Sequence, residues 1–299
     1  MNHRQVTDAP APFNKASADV ILRSSDLVDF RVRKGILAEA SSVFEDMFGI
    51  PQPEITPSQG DTREGLPVVK LEEDSDILQW LLRLCYPGNS PRIDDLDNLR
   101  PIIRAAIKYD IPEVLRTLKE NLGSFAESMP VRVYAIALQF KFEAEAREAA
   151  RAFLARPVES ADVPELVEIT GKDLHNLLKY HRACSVVAAR VASDPSWVPQ
   201  SEVWFATCRA HGTCARKHLG NVNASEWWIN YMTGSARILE ATPAGKALLV
   251  EGRTDAALRD AAECMVCKHP APEQMRKFIR QFAGLVNAVT AQVSLDYER

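Results

Sequence analysis

The chain has 299 residues, of which 46% are hydrophobic and 25% charged, a balance that supports two or three buried cores and excludes a disordered chain. A formal charge of −4 and a pI near 5.9 exclude an overall basic field that would hold phosphates or an anionic membrane surface. The opening "MNHRQVTDAPAPFNKASA" lacks the apolar run of a signal peptide and no later stretch is long enough to span a bilayer, so an intracellular place, cytoplasm or nucleus, is expected.

In chain order, residues 1–17 carry Pro10 and Pro12 without periodicity and read as a flexible tail. "ADVIL" and "DFRVR" alternate Val20 with Leu22 and Phe30 with Val32, which predicts two paired strands joined by "SSD". From Gly35 the period lengthens, and Ile36, Ala40, Val43, Phe44 and Met47 share one helical side. The Pro- and Gly-rich stretch 49–67 reads as an exposed loop, and "VVKLEED" as a third strand. "SDILQWLLRLCYPG" predicts a helix with Ile77, Trp80, Leu81 and Leu84 on one face, Ser75 at its N-cap and Pro87-Gly88 at its end. Helices then follow around 102–109 and from Pro112 to Leu122, where proline suits a first turn because the amide it lacks has no intrahelical partner.

Beyond Gly123 the pattern is almost wholly helical. Val131, Tyr134, Ala135, Leu138 and Phe142 form one stripe, and Ala146, Ala149, Ala150 and Phe153 the next. Asp162 and Glu165 stand at capping-box spacing, and a longer helix through "KDLHNLLKYHRACSVVAARVAS" ends at Asp194-Pro195. A last stripe of Met275, Phe278, Phe282, Leu285 and Val289 suits a helix docked on the body of the protein.

Taken together, "ADVIL", "FRVRKGILAEASSVFEDMF", "PVVKLEED", "LQWLLRLCY" and "AAIKYDIPEVLRTLKENL" resemble the BTB/POZ fold, with its motifs in that family's order. The fold class expected is α+β: a BTB/POZ domain, a small sheet flanked by helices, at 18–122, followed by a mostly α-helical region. Residues 123–193 resemble the helical extension of fungal, basidiomycete-type BTB proteins, and 194–299 are expected to form a C-terminal helical region containing Cys and Trp. Two positions depart from the family pattern. Arg33 stands where histidine is common in F-x-x-H-K, and Ser42 takes the place of a proline.

The resemblance implies a non-enzymatic protein that binds protein partners, with a homodimer formed through the BTB domain. It also implies a substrate-adaptor role for a cullin-type ubiquitin ligase, the alternative being a dimeric transcription or chromatin-associated regulator. The partner surface it implies uses the helical hairpin and later helices, here Val43, Phe44, Met47, Phe48 and Tyr109. From their place near the N-terminal strand, Phe13, Val20 and Leu27 are expected at the dimer interface.

The basic Arg31, Arg33 and Lys34 read as the solvated side of a strand, since nucleic-acid contact needs a broader basic stripe or aromatic platforms. No tandem zinc-finger spacing is present. "TPAGKALL" lacks the earlier glycine and the later Ser or Thr of a phosphate loop, and no serine has the context of a nucleophile turn. His181 and Cys184 read as core residues of the long helix, and Cys85 as an inert thiol.

"CRAHGTC" and "CMVCKH" are compact groups of soft ligands. Cys208, Cys214, Cys264 and Cys267, with His211 as the alternative ligand, have the residue types for a tetrahedral structural zinc, although the glycine and proline that often frame such pairs are missing. Buried core thiols remain the competing reading. A redox pair is weaker, because a thiolate gains stability at a helix N-terminus and this C-x-x-C follows a helix. No cofactor is required by the resemblance itself.

Overall fold

In the computed structural model, which describes residues 5–50, 62–88, 92–198, 208 and 214–296, the alternating N-terminal segments pair as a β-hairpin. Strand β2 (Val20–Arg23) runs antiparallel to β3 (Val28–Val32) with Leu22 opposite Phe30. The turn is closed by Ser24, whose hydroxyl accepts from the Val28 amide at 2.9 Å, and by Leu27 at a φ of +71°. Contacts divide the chain into two compact units, residues 1–125 and 126–299.

The sheet of the first unit has five strands in the order β1-β3-β2-β5-β4, where β1 is Thr7–Asp8, β4 Thr62–Arg63 and β5 Leu66–Lys70. β2 pairs parallel with β5 as well as antiparallel with β3, and its central place buries Val20, Ile21 and Leu22 completely on both faces. Two parts of this sheet differ from expectation. Part of the N-terminal tail is built in: Thr7 and Asp8 pair parallel with Val28 and Asp29, and Phe13 is buried with its ring 5.9 Å from that of Phe30. Part of the expected loop 49–67 is a hairpin, whose turn residues Glu64 and Gly65 both hold positive φ, +53° and +79°. Residues 51–61 of that loop lie outside the described residues.

The expected dimer residues Phe13 and Val20 are thus core, with 1% and 0% exposure, and Leu27 serves the turn. Aromatic and branched side chains beside a short sheet are more strongly stabilised by filling its own core than by waiting for a partner.

Asp29, which alternates with Phe30 and Val32 in the same way as Arg31, has no exposed surface. Arg23 grips its two carboxylate oxygens at 2.6 and 2.9 Å, and Arg63 adds a third bond at 2.7 Å while also reaching Asp8. Burial opposes the charge, but the bonds and fields of the two guanidiniums outweigh it and hold the carboxyl below its ordinary value of 3.8. Arg31 pairs with Glu64 at 2.7 Å, and Lys34 lies 5.7 Å over the ring of Phe48, so two members of the basic triplet are engaged locally.

The helix expected from Gly35 is two, α1 (Lys34–Ala40) and α2 (Ser42–Gly49), broken at Ser41, which caps α2 by accepting from the Phe44 amide. The core side is carried by Leu37 and Phe44, both fully buried. Helix α3 (Ser75–Cys85) is capped by Asp74 in place of Ser75, whose hydroxyl instead donates to Asp26 at 2.7 Å. Its buried residues are Leu78, Leu81 and Leu82, so the apolar face is turned from the expected stripe. Helix α4 (Leu96–Lys108) begins six residues before the expected start and runs through Pro101, because Leu96, Leu99, Ile102, Ile103 and Ala106 bury one continuous face. Helix α5 (Pro112–Ser124) has Pro112 at the expected first turn.

In the second unit α6 (Pro130–Gln139) and α7 (Glu143–Phe153) form an antiparallel pair turned at Lys141, φ +59°. All four residues of the Ala146 to Phe153 stripe are fully buried. The capping box stands at Thr170 and Asp173, at the start of α8 (Gly171–Ser193), and not at Asp162 and Glu165. Glu165 is buried and ion-paired to Arg132 at 2.5 Å. His181 is a core residue with one bond, 3.0 Å between Nε2 and the Arg156 carbonyl, and burial lowers its pKa.

The C-terminal pattern also contains a strand pair, β6 (Arg216–Leu219) and β7 (Val222–Ser225), turned at Gly220 with φ +57°. Helices α9 (Glu226–Ala241), α10 (Asp255–Ala262) and α11 (Ala271–Ala291) follow. The last stripe docks inward as expected, with Met275, Phe278 and Phe282 buried. Gly245 of "TPAGKALL" packs on α11: its amide donates to Asn287 at 2.8 Å, and a Cβ there would stand 2.3 Å from the Ala283 carbonyl oxygen.

Two substitutions test this packing. Asp29→Ala removes a buried ion partner from two arginines whose side chains keep 15% and 27% exposure, so chemical denaturation is expected to show a loss near the low end for such pairs, about 3 kcal/mol. Because the folded pKa is depressed, this contribution is present at neutral pH and disappears as pH falls below the ordinary value, 3.8. The wild-type advantage over the variant should therefore shrink only at acid pH. Gly245→Ala is expected to cost roughly 1–3 kcal/mol from the steric clash, read as a lower midpoint.

Candidate metal centre and partner surface

Cys208 and Cys214 lie before the β6–β7 hairpin, and Cys264 and Cys267 in the turn between α10 and α11. Arg216 ties the first pair to the hairpin. Its guanidinium donates to the Cys208 carbonyl at 2.7 Å and to the Asn223 side chain and carbonyl at 3.1 and 2.6 Å. The Glu226 amide donates to the Ala215 carbonyl at 2.8 Å, fixing the residue after Cys214 against the start of α9. In the second pair, the Lys268 amide donates to the Cys264 carbonyl at 3.0 Å and the Ala271 amide to the Cys267 carbonyl at 3.0 Å, so the turn feeds directly into α11.

The structure brings the four expected ligands together. All four sulfurs lie within 4.8 Å of one another, with Cys208 to Cys264 at 3.8 Å and Cys214 to Cys267 at 3.9 Å. These separations are far above a disulfide bond length of about 2.05 Å. Cys208, Cys264 and Cys267 are buried and Cys214 is half-buried. The alternative ligand His211 lies outside the described residues, and His269 is exposed.

The sulfurs are not electrostatically equivalent. Burial works against a thiolate at Cys264, but the backbone N–H groups of Cys267 and Val266 and the neighbouring thiols outweigh it and bring its pKa down to about 7. Burial pushes the Cys214 and Cys267 thiols up. One residue that sequence reasoning missed also faces the cluster: Ser225 Oγ is 3.3 Å from Cys214 Sγ. It has no local signature, since it looks like an ordinary residue of a strand end.

The two remaining cysteines are not members of this group. Burial pushes Cys85 up to about 12, and Cys184, buried in α8, up to about 11. A concavity of about 300 Å³ between α9 and α10 is lined by Trp227, Tyr231, Ser235, Ile238, Leu248 and Asp260 among others.

On the first unit, the expected partner surface is divided. Phe44 and Tyr109 are core residues, with 0% and 3% exposure, and their rings stack at 4.9 Å. The Tyr109 hydroxyl donates to Glu73 and its carbonyl accepts from Ser41, so it locks the α1–α2 hairpin to the end of α4. Val43, Met47 and Phe48 are half-buried and keep accessible surface.

Residues 12–125 match the family model described as BTB/POZ domain. The first unit is a BTB/POZ domain. Its mixed five-stranded sheet flanked by helices, followed by a mainly helical region, is the fold class expected from the sequence. The match ends at 125 and says nothing of the fungal grouping to which the BTB extension shows a resemblance. Among curated proteins no match is found. Among the described residues, no helix of the chain is long and apolar enough to cross a membrane.

Titration of the native protein with a thiol reagent checks the division among the cysteines. Cys85→Ala and Cys184→Ala are each expected to leave the number of fast-reacting thiols unchanged, because burial keeps both sulfurs protonated.

Proposed function

We propose that this is a non-enzymatic interaction protein whose BTB domain self-associates or recruits a second protein, and whose C-terminal unit holds a structural zinc at the four-cysteine cluster. The match of residues 12–125 to the BTB/POZ domain carries this reading, because BTB domains are protein-interaction modules and need no cofactor. The sharper form is a substrate adaptor of a cullin-type ubiquitin ligase. Its contact surface is then centred on α2, with Val43, Met47 and Phe48 beside Ile50, which is 63% exposed. Lys34 over the Phe48 ring places a cation at the rim of that apolar patch.

Light scattering on the full-length protein is expected to give about twice the 33.3 kDa chain mass. Capture of a purified cullin is expected as well, and Met47→Asp should weaken it at least tenfold, about 1.4 kcal/mol, without moving the melting temperature. Self-association without cullin capture removes the adaptor and keeps the scaffold. A monomer that captures nothing removes both, and retention on DNA that falls steeply with salt moves the reading to a chromatin-associated regulator.

A further inference from the structure

Four neutral thiols and four metal-bound thiolates make different demands on their surroundings. A protonated thiol packs as a small apolar group and needs no donor. A zinc ion with four thiolates carries a net charge of −2, which is costly to bury unless hydrogen-bond donors face the sulfurs. Here donors face two of the four. The amides of Val266 and Cys267 face Cys264, and the Ser225 hydroxyl lies against Cys214. In the neutral cluster the Cys214 thiol donates to Ser225, and the hydroxyl can rotate to donate back once the sulfur is a thiolate.

Spacing agrees with this demand. Four sulfurs at about 2.3 Å from a central zinc form a tetrahedron with edges of about 3.8 Å. Two of the edges seen here are 3.8 and 3.9 Å, and none exceeds 4.8 Å. The amides that converge on Cys264 form the turn that C-x-x-C needs, without the glycine and proline that often frame it.

The position of the cluster gives the ion a second consequence. Cys208, Cys264 and Cys267 belong to the same buried core as Trp228, Met232, Phe278 and Phe282. The ligand pairs belong to segments 53 and 56 residues apart, one leading through the hairpin into α9 and the other joining α10 to α11. Linking them closes that core from one side.

We propose that Cys208, Cys214, Cys264 and Cys267 bind one zinc ion in a closed, all-sulfur site, and that binding this ion and closing the aromatic core around Trp228 are one equilibrium. The coupling rests on the zinc reading of the cluster. With four protein ligands the ion has no open position, so its role is structural.

The test uses the full-length protein purified without chelator. Elemental analysis is expected to give one zinc per chain, X-ray absorption four sulfurs near 2.3 Å, and removal of the zinc a loss of the near-ultraviolet tryptophan signal that returns when Zn²⁺ is added back. No zinc, even after reconstitution with Zn²⁺, overturns the zinc reading and the coupling together. Three sulfurs and one nitrogen overturn the all-sulfur site. Four sulfurs with a tryptophan signal and melting temperature that do not change on stripping overturn the coupling and leave the zinc reading standing.

Cys264→Ser can fail to fold, so Ser225→Ala supplies an independent check. It keeps every sulfur and removes no helix-capping bond, because Ser225 makes none with its side chain. It is expected to lose zinc to a competing chelator about tenfold more readily. Unchanged retention would overturn the role of the donors.

Discussion

The Asp29 carboxylate is out of contact with water, and the N-terminal sheet can close only in a way that gives this charge its partners. Arg23 supplies one from the strand beside it, and Arg63 the other from across the sheet. Arg63 stands on β4, so pairing Asp29 requires the β4–β5 hairpin to reach this edge, and the same guanidinium holds Asp8 of β1. A single buried charge thereby orders strands from three parts of the chain. The helical hairpin α1–α2 is secured by a comparable polar device, the Ser41, Tyr109 and Glu73 chain of hydrogen bonds behind the Phe44 ring.

The second unit faces the same constraint with softer groups. Its helices are held by close alanine packing at α6 and α7 and by aromatic packing around Phe278, where the rings of Trp197 and Phe282 lie at 5.7 and 5.8 Å. Into that apolar core it brings four sulfurs and an arrangement of N–H and O–H groups facing them. In both units the informative residues are polar atoms placed where apolar ones would pack more simply. The interaction role belongs to the BTB domain, where the accessible Phe48 ring extends the buried Phe44–Tyr109 stack to the surface.

Regular periodicity made much of this fold legible from sequence. The β2–β3 hairpin, the Ala146 to Phe153 stripe, the end of α8 at Asp194-Pro195 and the inward face of α11 all follow from spacing that tertiary contacts reinforce. The errors came where a long-range partner decides. Thr7 and Asp8 have no strand pattern of their own and become one by pairing with β3. Asp29 alternates as a wet residue does, yet arginines six and 34 residues away permit its burial. Phe44 and Tyr109 sit at positions that look open to a partner, yet each buries its ring against the other. The cysteine cluster was legible because soft ligands are rare and closely spaced. Ser225 was not, because its relevance exists only once the two cysteine pairs meet.

The separation of those pairs along the chain bears on how the protein is made. Synthesis delivers Cys208 and Cys214 just ahead of the hairpin and α9, and their partners arrive later, Cys264 coming 56 residues after Cys208 and Cys267 coming 53 residues after Cys214. The BTB domain, complete by residue 125, can be folded and engaged with a partner long before the C-terminal core has its second pair of sulfurs. A messenger truncated anywhere between these pairs would yield a chain able to associate through its first half while exposing the unclosed apolar surface of its second.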